Sequence, residues 1–211
     1  MPHYYLTSEV RLDAVLALRE SLNADLAADA KLSLNDFLVK AAALACRKVP
    51  EVNSSWLGDA VRAYDYVDIA VSVAVPEGLA TPVLRDAHAK GLQAIGGGLR
   101  ALVDKARAKS LAPEEAQGGT FAMQNLGMFG VRQFAAIISP PHAAVLAVGA
   151  PERRLVPGAA AGLPGAAAPH EQAVFLAATL SCDHRVVDGA VGAQWLAAFK
   201  DLIEHPSKML L

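Results

Sequence analysis

Near the C-terminus of this 211-residue chain an almost unbroken apolar run, residues 173–180, gives way to Ser181-Cys182-Asp183-His184-Arg185-Val186-Val187-Asp188-Gly189, and then to a helical pattern over 189–204. An apolar run of this length, rich in β-branched and aromatic residues, predicts a buried strand, and the segment after it predicts an amphipathic helix. The polar cluster therefore falls at a strand-to-helix junction, where reactive groups sit on loops positioned by rigid neighbours. Imidazole is the one side chain of the cluster that gains and loses a proton near neutral pH, which makes His184 the candidate base. A structural alternative stands beside it: His184 and Asp188, with Arg185 between them, can instead form an ion pair that fixes the start of the helix.

The rest of the chain must supply a body for this junction. Leu12, Val15, Leu16, Leu22 and Leu26 recur at helical spacing. Ser33-Leu34-Asn35-Asp36 opens a second helix with a capping-box pattern, apolar on nearly every face until Val49-Pro50 stops it. Cys46 lies on that helix as a small hydrophobe. Trp56 and residues 61–64 read as strands, and 69–75, apolar except for Ser72, reads as one central strand ended by a turn at 76–78. A helix follows over 92–106 although Gly96-Gly97-Gly98 weakens it, by about 1 kcal/mol per glycine relative to alanine. A phosphate loop at these glycines is excluded, because neither Lys-Ser/Thr nor a G-x-G-x-x-G pattern accompanies them. Residues 118–124, 134–138 and 143–148 read as further strands, and 152–172, rich in Gly, Ala and Pro, as a surface loop containing a solvated His170. Helices and strands mix without strict alternation, so the expected fold is one α/β domain over 1–211, a two-layer sandwich with a mixed β-sheet.

Composition narrows the partners. Hydrophobic residues make up 54% and charged residues 19%, more apolar than an ordinary soluble domain, which points to surface covered by other copies. With 19 Lys+Arg against 21 Asp+Glu and no basic block, nucleic acid is not an expected partner. No apolar run approaches the roughly 18 residues that span a bilayer, so no membrane is expected either. Cys46 and Cys182 form neither a metal-ligand pattern nor a disulfide framework, so no metal is expected and a reducing compartment fits.

The segment SCDHRVVDGAVGAQWL resembles the His-x-x-x-Asp-Gly signature of the dihydrolipoamide acyltransferase catalytic domains, the mitochondrial acetyltransferase branch above all. PHYYLT, KLSLNDFLVKAAALACRKVPEVNSSW, VDIAVSVAVPEGLATPVL, GGTFAMQNLGMFG and PPHAAVLAVGAPE extend the resemblance over the whole chain in the family's order. It implies a chloramphenicol-acetyltransferase-like fold and a homotrimer that assembles further into a hollow octahedral or icosahedral core. It also implies transfer of an acetyl group between dihydrolipoamide and coenzyme A within a pyruvate dehydrogenase complex, in the mitochondrial matrix. Coenzyme A and lipoamide are then substrates, with no metal and no tightly bound cofactor. Lipoyl domains and the complex's other components are the expected partners.

By the same resemblance His184 deprotonates the attacking thiol, and Asp188 supports the site. Cys182, two residues from His184, is not expected to be a nucleophile, because that spacing does not orient a Cys–His pair. Gln124 occupies the position of the family's suspected oxyanion donor, a serine in its T-F-T-I-S-N-L-G pattern. A glutamine amide can donate in its place, on a longer arm. The family also carries an arm ahead of PHYYLT that embraces a neighbour and helps bind coenzyme A, which is not expected here. Gln124 and this arm leave a second reading beside the enzyme, a structural core subunit with little activity.

Overall fold

The computed structural model describes residues 1–76, 78–158 and 170–210. In chain order its elements are β1 (His3–Arg11), α1 (Asp13–Ala24), α2 (Leu34–Lys48), β2 (Ser54–Trp56), β3 (Val61–Ala63), β4 (Ile69–Val71), β5 (Val73–Val75), β6 (Gly78–Ala80), β7 (Val83–Leu84), α3 (Leu92–Arg107), α4 (Pro113–Ala116), β8 (Phe121–Asn125), β9 (Ala144–Val148), β10 (Glu152–Pro157), β11 (His170–Asp183) and α5 (Gly189–Glu204). The main sheet runs β1-β11-β9-β8-β4-β7, with β10 paired to the first half of β11. The β8 pairs with β9 and β4 are parallel and the others antiparallel, so the sheet is mixed. No helix among the described residues is long and apolar enough to cross a membrane.

The helices cover one face. α2 starts at Ser33, whose hydroxyl accepts from the Asp36 amide at 3.3 Å while the Asp36 carboxylate accepts from the Ser33 amide at 2.7 Å, the reciprocal box its sequence calls for. It is buried on most sides through Phe37, Leu38, Val39 and Ala41 to Ala43, as a helix between a sheet and other helices must be. On α5, Trp195 stacks between Phe121 and Phe199 with ring centroids 5.0 and 5.5 Å away, and its indole N–H donates to Cys46 Sγ at 3.4 Å. β9 explains how one strand can be apolar throughout: Ala144, Leu146 and Val148 join the helix-side core, and Val145 and Ala147 join a smaller cluster on the other face.

That second cluster corrects one expectation. Residues 134–138 form no strand; they run extended across the helix-free face, burying Ala136 and Ile138 and exposing Ile137. Alternation of the strand kind arises here from lying on a sheet, not from joining its ladder. Residues 69–75 are likewise two strands, for the chain leaves the main sheet at Ser72 and β5 pairs with β6 in a separate, more exposed hairpin. Within the expected loop 152–172, residues 152–157 and 170–172 are strand, and 159–169 lie outside the described residues. β10 has no apolar run because its side chains alternate in exposure and ion pairs serve it, Arg154 to Glu9 at 2.5 Å among them. His170 is exposed as expected, but on the first residue of β11.

α3 forms through its three glycines without interruption. A Cβ on Gly96 would come within 3.0 Å of the Asp36 carboxylate, and one on Gly98 within 2.9 Å of Leu84, so these two admit close neighbours. Gly97 meets nothing within 4 Å. Gly97→Ala is therefore expected to stabilise the protein by about 0.5–1 kcal/mol, since only chain entropy changes, and urea denaturation would read this as a higher midpoint at unchanged slope.

Candidate active site

β11 delivers the polar cluster. Asp183, its last residue, is fully buried and grips Arg185: the guanidinium donates from Nε to Oδ1 at 3.0 Å and from Nη2 to Oδ2 at 2.7 Å, and the Arg185 amide donates to Oδ1 at 3.1 Å. The same guanidinium lies 5.1 Å over the Trp56 ring, a cation–π contact that holds it from the other side. A tight turn results. His184 stands at its apex, exposed, with its backbone amide donating to the Pro2 carbonyl at 2.9 Å. Among the described residues neither imidazole nitrogen has a hydrogen-bond partner, so both are open to substrate. The ring rests against Tyr4, centroids 5.1 Å apart at 69°.

Burial pushes the Asp183 carboxyl up, the hydrogen bonds and charge of Arg185 push it down, and the net shift is downward. A carboxyl depressed in the folded state adds stability above its unfolded value, about 3.9, and loses it as the pH falls through the lower folded value. The contribution is thus fully present at neutral pH. Asp183→Asn is expected to cost about 1–3 kcal/mol at pH 7 and to lessen the fall in stability between pH 4 and lower pH, both read from urea midpoints across pH.

Asp188 is the N-cap of α5, its carboxylate accepting from the Val191 amide at 2.8 Å. It fixes the helix start, and its contact toward the imidazole is indirect: its main-chain carbonyl accepts from the Tyr4 hydroxyl at 2.5 Å. Cys182 is buried, with its thiol pushed up to about 11 by burial, which suits a packing residue and not a nucleophile.

Gln124 is elsewhere. On β8 it lines a cleft of about 410 Å³ on the helix-free face, with Ser72, Gly119, Ile137, Ser139 and His142. In register Gln124 pairs with Ala147 and Ala147 with Thr179, five residues before His184. At about 3.3 Å per residue and 4.8 Å per strand, Gln124 and His184 of one chain are roughly 20 Å apart; Gln124 is beside Ala147 of the second cluster, whereas His184 lies against Tyr4, which packs on the helix-side core.

His142, Ser72 and Ser139 were not singled out from sequence, where only the break Pro140-Pro141 before an apolar strand marks the place. His142 Nδ1–H donates to the Ser139 carbonyl at 2.9 Å, Nε2 is buried without a partner, and burial lowers the imidazole's pKa, so the ring is held neutral. A second cleft, of about 550 Å³, is lined by Lys40, Arg47, Lys48, His88, Lys90 and Lys208. Four of its cations are engaged: Lys40 donates to the His88 and Lys90 carbonyls at 2.8 and 2.7 Å, Arg47 to the Asp65 carbonyl at 2.5 Å, Lys90 to the Arg85 carbonyl, and Lys208 to Asp201 at 2.6 Å. They tie loops to helices. Among the described residues no three His, Cys, Asp or Glu side chains are grouped as metal ligands would be.

The profile of the 2-oxoacid dehydrogenases acyltransferase catalytic domain matches residues 1–211. The chain belongs to this family. Acyltransferase relatives include dihydrolipoyllysine-residue acetyltransferase components of mitochondrial pyruvate dehydrogenase complexes. That of Caenorhabditis elegans is 49% identical, aligned over 100% of this chain and 41% of its own length. That of Dictyostelium discoideum is 50% identical over 100% and 32%. The chain thus spans less than half the length of these relatives. Among solved acyltransferase structures, an Azotobacter vinelandii dihydrolipoamide acetyltransferase, studied for the roles of one serine, one histidine and one asparagine in catalysis, superposes with a TM-score of 0.88 at 29% identity, covering 100% of this chain and 84% of that one. The cubic core of a pyruvate dehydrogenase multienzyme complex gives the same values. Chloramphenicol acetyltransferase, at 15% identity, shares the fold, with a TM-score of 0.61 over 97% of this acyltransferase domain and 87% of that chain.

Proposed function

We propose that this domain transfers an acetyl group between dihydrolipoamide and coenzyme A as the core of a pyruvate dehydrogenase complex, with each active site shared by two copies of the chain. The separation of His184 from the Gln124 cleft carries the reading. One chain offers an exposed base that does not line the Gln124 cleft, which is on the other face of the sheet, and a second copy joins the two. In the Azotobacter vinelandii enzyme the histidine and asparagine studied stand four positions apart, as His184 and Asp188 do. Exposed Met128, Phe129, Ile137 and Leu155 supply apolar surface for the contact.

In the reaction, His184 of one copy takes the proton from the coenzyme A thiol, because the thiolate is the nucleophile and only a minor fraction of a thiol of pKa about 8.5 is ionised at neutral pH. Sulfur attacks the thioester carbonyl of acetyl-dihydrolipoamide, and the tetrahedral oxyanion accepts a hydrogen bond from the Gln124 amide. Collapse breaks the old C–S bond, and His184 returns its proton to the departing dihydrolipoamide sulfur. The assembly is a homotrimer built into a hollow core, visited by lipoyl domains and the complex's other components. Exposed Leu210, beside an apolar groove formed by Leu22, Leu26, Leu32 and Leu92, offers a joint between trimers, while Met209 is buried in its own chain. The matrix is the proposed location; the relatives named mitochondrial stand beside a Rickettsia bellii one that is not.

Mixing subunits tests the shared site. His184→Ala chains and Gln124→Trp chains, the second with the cleft filled, are each inactive alone. Refolded together at equal amounts, they should regain about a quarter of wild-type turnover, since mixed trimers restore one site in three. No recovery in mixed particles of native size would mean that base and cleft belong to different reactions.

A further inference from the structure

Resting on that reading of His184, we infer that Tyr4 is the positioning residue for the imidazole. A base needs a neighbour that fixes its ring, and the residue the spacing suggests for this, Asp188, spends its carboxylate on the Val191 amide. Tyr4 occupies the place instead. Its ring meets the imidazole edge-on at 5.1 Å between centroids, an arrangement that aromatic quadrupoles favour and that restricts rotation of an otherwise exposed side chain.

Tyr4 is itself held from three directions. Its backbone is in the β1–β11 ladder opposite Cys182, and its hydroxyl donates to the Asp188 carbonyl at 2.5 Å. The third hold is a space left for it: a Cβ on Gly192, in the first turn of α5, would stand 2.8 Å from that hydroxyl oxygen and 3.4 Å from Cys182 Sγ. Gly192 is the recess that lets the phenol reach the helix start. Ladder, helix cap and imidazole are thus registered through one side chain, and the Pro2 carbonyl that receives the His184 amide is two residues away. The phenol is kept protonated, its pKa raised by burial and by Cys182 and Asp188 beside it, so it donates throughout the working range of pH.

The test separates ring from hydroxyl in the assembled protein. Tyr4→Phe retains the ring contact and should keep turnover within about threefold, whereas Tyr4→Leu, without an aromatic edge, should lose kcat by about tenfold with KM for coenzyme A little changed. Diethylpyrocarbonate labelling of His184, followed by peptide mass spectrometry, reports the ring directly and needs no turnover: labelling should quicken severalfold in Tyr4→Leu and not in Tyr4→Phe. Gly192→Ala, which keeps the β1 sequence and presses most closely on the phenol at 2.8 Å, ahead of Leu6 Cδ1 at 3.0 Å, should reproduce the Tyr4→Leu result, and it decides the matter if Tyr4→Leu fails to assemble. Equal losses in the Phe and Leu variants, a KM effect without a kcat effect, or unchanged labelling in both Tyr4→Leu and Gly192→Ala would overturn the assignment. Full activity in His184→Ala would fault the base itself, and the labelling rates would still say whether Tyr4 holds the ring.

Discussion

His184→Ala should lower acyl transfer by at least about 10²-fold while leaving the assembly intact, because a positioned general base contributes typically 10²–10⁴ to such a step. The structural side of this expectation follows from the turn. What holds the backbone is the buried Asp183–Arg185 pair and the amide bond to Pro2, neither of which uses the imidazole. The ring is exposed, so its removal opens no cavity, and the change in stability should stay within about 0.5 kcal/mol. Turnover at saturating coenzyme A and acetyl-dihydrolipoamide, with particle size from sedimentation, measures both parts. Near-wild-type turnover would remove His184 from the mechanism.

The Gln124 series has an effect of similar size and tells more. If the amide donates to the oxyanion, Gln124→Ala loses one preorganised donor and turnover should fall by about 10²-fold or more at little-changed KM. Gln124→Ser then stays near wild type, a hydroxyl taking over from the amide. The competing account, a scaffold subunit of low activity, makes the opposite forecast: Gln124→Ala changes almost nothing and Gln124→Ser raises a low rate. The cleft favours the first account in one respect, for Gln124 lines it along with Ser72 and Ser139 and has no hydrogen-bond partner among the described residues. Equal and substantial turnover in all three proteins would mean that this side chain does not face the oxyanion.

Those residues were legible in sequence to very different degrees. The strand-turn-helix around His184 could be read because each part carries its own period: an apolar run buried on two faces, then a 3.6-residue pattern that starts at a capping aspartate. α2 announced itself by Ser33 and Asp36 for the same local reason. β1 and β10 were hidden, since strands with one poorly covered face mix apolar and polar residues in a pattern that loops also show, as HYYLTSEVR and ERRLVP do. Residues 134–138 misled in the other direction: an apolar run, Phe134-Ala135-Ala136-Ile137-Ile138, marks a segment that packs on a sheet and says nothing about ladder bonds. The split at Ser72 was invisible because apolar content does not tell which sheet a residue joins. Tyr4 and His142 matter through neighbours 184 and three residues away, Asp188 and Ser139 respectively, and only the fold makes the first of those distances short.

If, as proposed, His184 of one copy and the Gln124 cleft of another make each active site, the sharing has a genetic consequence. A chain defective only in the base still lends its cleft to a neighbour, so in a cell carrying equal amounts of normal and base-defective chains about half the sites survive. A chain defective in both halves spoils two sites at once, and about a quarter survive. Alleles damaging one half should therefore complement alleles damaging the other, while a single allele damaging both behaves as a dominant poison of the particle it enters.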